Sequence, residues 1–246
     1  MVEDYGTLAA LAAIAFAGAV VYGITGFGSA LITIPLATHL VPLTFALAMF
    51  SVVDFANSLR VGLENPRHAV KAEVVRMAPM ILLGLAIGVT LLVNLPRKSG
   101  MLALGVFIAA YGIYSLTRRA SMGTVSRRWA YAAGLCGGLT GALFGAGGPP
   151  YAIYLSHRPL TKEEFRATLT FTSVFSIGLR VLVFLATGLL LDLRAWIAAA
   201  IAIPAALAGI TVATRIFRRI SREVLARLVG LMLLVTGISL VARALA

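Results

Sequence analysis

Gly141-Ala142-Leu143-Phe144-Gly145-Ala146-Gly147-Gly148-Pro149-Pro150 interrupts an apolar run that would otherwise read as one continuous helix. Near the N-terminus Gly23-Ile24-Thr25-Gly26-Phe27-Gly28-Ser29-Ala30 does the same, and Pro35 follows seven residues after Gly28, so the spacing predicts backbone broken twice there. At membrane depth, irregular backbone survives only where protein or a cavity satisfies its polar groups, so paired breaks point to a binding site.

The flanking runs decide the class. Of 246 residues, 60% are hydrophobic and 12% charged, and the mean hydropathy of +0.97 lies far outside the range of a soluble domain. Segments of roughly 20 apolar residues, enough to cross about 30 Å of hydrocarbon, follow one another with short polar joints. The acidic start Met1-Val2-Glu3-Asp4-Tyr5 lacks the basic region and cleavage site of a signal peptide, so the first apolar segment is expected to be retained. Cys136, the single cysteine, rules out an intramolecular disulfide and reads as a small packing residue. The net charge of +12 is scattered over the joints, which fits anionic membrane lipid and the positive-inside rule and not nucleic acid. Clusters of Cys, His, Asp or Glu are lacking, so no metal or other cofactor is expected. No HExxH, no GxSxG with partners and no paired intramembrane aspartates occur, so the chain does not read as an enzyme.

The first apolar stretch, residues 7–40, would reach about 50 Å as one helix, too long for one crossing. The glycines divide it into helices at 7–24 and 29–39, with 42–63, 77–94 and 100–116 following and a polar joint at 64–76. The second half reads as 129–144, a break at 145–148, 149–156, then spans at 167–190, 195–214 and 224–242. The halves repeat: Pro79, Gly84, Gly105 and Gly112 recur 125 residues later as Pro204, Gly209, Gly230 and Gly237. Gly26 and Gly28 recur as Gly145 and Gly147, and Leu59-Arg60-Val61 as Leu179-Arg180-Val181.

The fold class is therefore an all-α polytopic membrane protein, one membrane domain over residues 1–246. Repeat one covers 7–117 and repeat two 129–243, joined by a basic linker at 118–128. Each is a Gly-broken helix pair plus three spans, about eight to ten membrane segments in all. If each broken stretch returns to the side it came from, the repeats are inverted. With the N-terminus outside, the basic joints at 67–76, 118–128, 158–166 and 215–222 then all fall inside and Asp192 outside; only Arg97-Lys98 and Arg194 violate the rule, beside the C-terminal Arg243.

Inverted repeats with interrupted helices are an architecture of secondary transporters, with the site near the bilayer midplane. Short helices starting at Ser29 and Pro149 would turn partly positive N-termini toward the breaks, which suits a small anion. The expected substrate-binding residues are Gly26, Gly28 and Ser29 at the first break and Gly145, Gly147, Gly148 and Pro149 at the second. Asn57, Thr172, Ser173 and Arg180 join them from the neighbouring spans, although Ser and Thr also bond their own helices' carbonyls. Arg180 sits deep in its span and needs an anion, a carboxylate or water. Either it binds the substrate, or it pairs permanently with Asp54, the only carboxylate read as comparably deep, or with backbone carbonyls. Asp54 and Arg60 are candidate coupling residues, with snorkelling to the interface the plainer reading of Arg60; His39 and His157 read as interfacial. Gly84-Leu85-Ala86-Ile87-Gly88 offers a small-residue face for packing within the fold or for a homodimer.

The paired Gly-rich breaks, Gly26-Phe27-Gly28 with Pro35 and Gly145-Ala146-Gly147-Gly148-Pro149, resemble those of the TauE/SafE-type sulfite exporter family over nearly the whole chain. The resemblance implies a multi-pass carrier of the bacterial inner membrane that exports small anions such as sulfite, sulfonates or organosulfur carboxylates by alternating access. A channel, or a carrier of an unrelated organic anion, is the competing reading. Ser29 and Ala30 stand where the family commonly has glycine, so substrate contacts are expected to concentrate at the second break.

Overall fold

The computed structural model describes residues 4–63, 66–94, 96–117 and 124–216, and beyond them 231, 234–235, 237–239, 241–242 and 245. The described residues are helical or in turns, with no strand among them. The helices are α1 (Tyr5–Thr25), α2 (Ser29–Ala37), α3 (Leu43–Gly62), α4 (Lys71–Asn94), α5 (Arg97–Thr117), α6 (Trp129–Phe144), α7 (Gly148–Ser156), α8 (Lys162–Ala186) and α9 (Leu193–Ile216). Five of them, α1, α3, α4, α8 and α9, are long and apolar enough to cross a membrane, and α5 and α6 carry shorter apolar stretches. The protein is a multi-pass membrane protein. Leu82, Leu83, Ile87 and Leu91 on α4 and Ile197 and Ile201 on α9 are exposed, as a face turned to lipid requires.

Both breaks exist, and each folds the chain back. Gly26 ends α1 at φ 80° and Gly28 precedes α2 at φ 89°, while Gly145 ends α6 at φ 71°; this left-handed region is open to glycine at little cost. The Gly26 amide closes α1 on the Tyr22 carbonyl at 2.7 Å, and the Gly145 amide closes α6 on the Gly141 carbonyl at 3.0 Å. A threonine ties each turn: Thr25 donates to the Phe27 carbonyl, and Thr140 to the Ala146 carbonyl at 3.0 Å. Space for Thr33 of α2 comes from Gly18 on α1, and space for Tyr151 of α7 from Gly137 on α6, so α1–α2 and α6–α7 are two hairpins.

Their tips meet: a Cβ on Gly148 would lie 2.6 Å from the Phe27 Cβ, and one on Gly145 would lie 3.0 Å from the Ala30 Cβ. Helix α5 reaches both tips, its Phe107 stacking on Phe144 with ring centres 5.3 Å apart and its Tyr111 edge-on to Phe27 at 6.5 Å.

The tightest seams cross from one half of the chain to the other. Helix α4 runs beside α6 in the same direction, Gly134 facing Met77, Gly138 facing Ile81 and Leu85, and Gly88 facing Leu139 and Ala142. Helix α1 runs likewise beside α9, Gly209 facing Phe16 and Ala19, and Gly23 facing Ile210 and Ala213. Small residues let these backbones close in, which is how helices associate in lipid without a hydrophobic driving force between them. The third helices of the two halves, α3 and α8, cross in opposite directions, Gly62 meeting Thr170 and Val174 while Phe55 meets Gly178.

Several expectations are corrected. Pro35 does not break the chain a second time: it lies inside α2, which ends two residues later, and what it removes is the amide that would bond the Leu31 carbonyl. Residues 71–76 are not joint but the first turns of α4, and α8 starts at Lys162, five residues before the expected span. There Thr161 and Glu164 form a reciprocal capping box. Cys136 faces outward instead of packing inside. The Gly84–Gly88 face is occupied by α6, so it supplies no dimer seam. The linker at 118–128 and the span at 224–242 lie partly outside the described residues.

Candidate functional site

Between the hairpin tips lies a cavity of about 30 Å³, where one water needs about 10–15 Å³. The first tip contributes Phe27, Gly28, Ser29 and Ala30, and the second Gly145, Ala146, Gly147 and Gly148. Asp54 comes from α3, Ser173, Ser176 and Arg180 from α8, and Tyr22 and Tyr151 from α1 and α7. A larger cavity of about 320 Å³ lies past Phe144, lined by Leu43, Leu92, Val93, Leu143 and similar residues, with Thr44 the one polar side chain among the described residues that line it. Its described lining is apolar, whereas the smaller cavity gathers charged and polar side chains, which makes the smaller one the candidate site.

Every polar side chain lining that cavity is buried, and the hydrogen bonds converge on Asp54 and Arg180. The Ser29 hydroxyl donates to Asp54 Oδ1 at 2.7 Å, and Arg180 Nη2 lies 3.4 Å from Asp54 Oδ2. Arg180 Nη1 donates to the Gly141 carbonyl at 3.1 Å, which also accepts the Gly145 amide that closes α6. Arg180 Nε has no partner among the described residues. A fully buried guanidinium with an unused donor is costly unless something completes it. Across the cavity the Tyr151 hydroxyl and Ser176 Oγ are 2.9 Å apart.

The tips add backbone donors. Gly28 caps α2 with no side-chain bond, so the amides of Ser29 and Ala30 have no intrahelical partner by position. Pro149 and Pro150 carry no N–H, which leaves Gly147 and Gly148 as the first-turn donors of α7. The second tip therefore offers fewer amides than a proline-free turn.

Of the residues singled out in the sequence, Gly28, Ser29, Gly145, Gly147, Gly148, Ser173, Arg180 and Asp54 meet in this cavity. The others sit elsewhere. Gly26 packs against Thr170 and the Arg166 side chain. Pro149 is buried behind the tip, and the Thr172 hydroxyl is taken up by the Thr168 carbonyl at 2.7 Å. Asn57 is buried with its Oδ1 unpartnered among the described residues but does not line the cavity. Arg60 is exposed in the last turn of α3. His39 is exposed, and His157 Nδ1 lies 2.7 Å from the Ile153 carbonyl.

Sequence reasoning missed Tyr22, Tyr151 and a second ionic cluster. A second carboxylate is buried without lying deep in a span: Glu73, in the first turn of α4, is 4% exposed. It accepts from the Tyr154 hydroxyl at 2.6 Å, Arg158 Nε at 3.3 Å and Arg76 Nη1 at 3.2 Å. Arg158 also donates to the Val125 carbonyl at 2.9 Å, so the cluster ties the base of α7 to α4 and to the segment before α6. Among the described residues no group of three Cys, His, Asp or Glu is placed to hold a metal.

A family model described as sulfite exporter TauE/SafE matches residues 10–240. A curated relative from Cupriavidus necator, described as a probable sulfite/organosulfonate exporter TauE, is 29% identical over 223 residues, 86% of this chain and 83% of its own. No solved structure matches.

Proposed function

The chain belongs to the sulfite exporter TauE/SafE family, and we propose that it carries sulfite, sulfonates or related small organosulfur anions out across the bacterial inner membrane. The observation that carries this reading is Arg180, buried in the cavity where the two hairpin tips meet and holding one donor without a partner among the described residues. An oxyanion there would take up the guanidinium and the tip amides together, each charge-assisted bond contributing about 1.5–3 kcal/mol. Gly26 and Pro149 act by shaping the tips, and Asn57 and Thr172 by supporting the site from behind.

Two inverted repeats, 7–117 and 129–243, explain the geometry. The equivalent helices α3 and α8 run in opposite directions, and a hairpin that returns to its own side gives each half an odd number of crossings. The N-terminus is then outside. Alternating access follows if the tips part toward one face at a time, but the seams redefine the moving bodies. Because α1 is locked to α9 and α4 to α6 by backbone contact, the units that rock are α1–α2–α9 against α4–α6–α7, each drawn from both halves of the sequence.

The test is sulfite counterflow in proteoliposomes. Counterflow itself, saturable and dependent on trapped sulfite, distinguishes a carrier from a channel. Arg180→Ala should lower it at least about tenfold, the equivalent of one lost charge-assisted bond of about 1.5 kcal/mol. Near-normal flux from monodisperse variant protein removes Arg180 from the site.

A further inference from the structure

We infer that Asp54 makes transport electroneutral: the carboxylate and the substrate are alternative partners of the Arg180 guanidinium, so one proton travels with each monoanion. This rests on the reading that Arg180 receives the substrate.

Asp54 and Arg180 are each 2% exposed and stand 3.4 Å apart, so without substrate the site holds one positive and one negative charge. Adding an anion while Asp54 stays ionised would leave a net negative charge in a low-dielectric interior, which is strongly unfavourable. A proton from water on the substrate's side, bound at Asp54 Oδ2, ends the pairing with Nη2. That nitrogen and Nε then both point to the anion, and the site is neutral again. On the far side the proton leaves, Asp54 reclaims Nη2 and the anion is displaced. The carrier is neutral when loaded and neutral when empty, and both forms cross the same barrier.

The surroundings favour a proton over a metal cation. Among the described residues the charged and titratable groups facing Asp54 are Arg180 from α8 and Tyr22 from α1, with Tyr151 of α7 on the far side of Arg180. Helix α2 brings the Ser29 hydroxyl, and the arginines of α9 lie at its two ends. A sodium ion at Asp54 would find the hydroxyls of Ser29 and Tyr22, fewer oxygens than a hard cation takes, and a guanidinium that repels it. Ser29 is also the first residue of α2, so a proton arriving at Asp54 is felt at the hairpin tip that has to move.

The experiment uses the wild-type protein in proteoliposomes holding a trapped pH dye, with radiolabelled sulfite as probe at one symmetric pH. A potassium gradient with valinomycin sets the membrane potential. The expected result is an accumulation indifferent to potential, with proton uptake that tracks sulfite and is unchanged when sodium is replaced by choline. An unaccompanied monoanion would instead shift accumulation about fiftyfold per 100 mV; that result, or a sodium requirement, overturns the inference while leaving sulfite transport standing. Absence of any sulfite counterflow would strike the transport reading itself. In Asp54→Asn, whose empty form holds an unbalanced arginine, net flux should fall at least tenfold and the exchange that remains should carry no protons. Net flux with wild-type proton coupling in this variant overturns the inference independently.

Discussion

Gly148→Ala places one methyl group where the two hairpin tips touch. The new Cβ would lie 2.6 Å from the Phe27 Cβ, 3.1 Å from its Cδ2 and 3.2 Å from its Cγ, against an ordinary carbon contact of about 3.5–4.0 Å. Phe27 has little room to yield, because the Thr25 hydroxyl bonds both its amide and its carbonyl and its ring is braced by Tyr111. Overpacking of this kind costs about 1–3 kcal/mol. The strain acts only while the tips touch, so it becomes a bias of about 5- to 150-fold toward conformations in which they are apart. Apparent affinity for sulfite, read as the concentration dependence of counterflow, should weaken within that range, and sulfite should protect the variant less against thermal unfolding. Gly100→Ala is the matched control, since its Cβ would meet only a Leu43 methyl at 3.7 Å and should change neither readout. Wild-type affinity in Gly148→Ala would refute the idea that closure of these tips forms the site.

Two further substitutions probe the frame around the site. Gly138→Ile drives a side chain into the Ile81 carbonyl and the Leu85 amide across the α4–α6 seam; because backbone cannot swing aside, the loss should exceed the roughly 3 kcal/mol at the top of the overpacking range, seen as lost monodispersity or a melting point lowered by many degrees. Glu73→Gln leaves Arg158 and Arg76 without their carboxylate. Removing one partner of a buried pair costs about 3–5 kcal/mol, an upper figure here because the Arg76 side chain is 27% exposed; the melting temperature should drop by several degrees while the sulfite concentration dependence of counterflow stays the same.

What could be read from the chain was whatever repeats or breaks. The two glycine clusters and α6 at Trp129–Phe144 stand in the sequence and in the structure, and the recurrence of Leu59-Arg60-Val61 as Leu179-Arg180-Val181 stands in the sequence. The misses share a cause: hydropathy grades a residue by its own polarity and is blind to a partner brought from elsewhere in the chain. Lys71 to Arg76 look like a surface joint until Tyr154 and Arg158, 81 and 85 residues beyond Glu73, close around its carboxylate. Tyr22 and Tyr151 pass for ordinary apolar positions because their rings are apolar. The capping box at Thr161 and Glu164 was legible in principle, as a Thr followed three residues later by Glu, but the charges around it look like a loop. Arg60 shows the limit of the repeat itself. Equivalent position does not give equivalent role: at Arg180 the opposing helix brings a carboxylate, whereas Arg60 lies in the last turn of its helix and is exposed.

On the proposed reading, that difference bears on how two repeats come to hold a single site. Two related hairpins supply two tips, but only the second half places a cation between them, and only the first half supplies the carboxylate that balances it, Asp54, whose counterpart 120 residues on is Val174. A site with an arginine from each half would confine two like charges within a cavity of about 30 Å³, and one with an aspartate from each half would repel the anion it is meant to receive. Splitting the pair across the halves leaves the empty site neutral. It also puts the partners on α3 and α8, which line the cavity between the hairpin tips, so in the proposed cycle any movement that parts the tips changes what Arg180 can reach. The seams between α1 and α9 and between α4 and α6 hold the remainder backbone against backbone. In this arrangement the sequence repeat builds the scaffold, and the departures from it build the site.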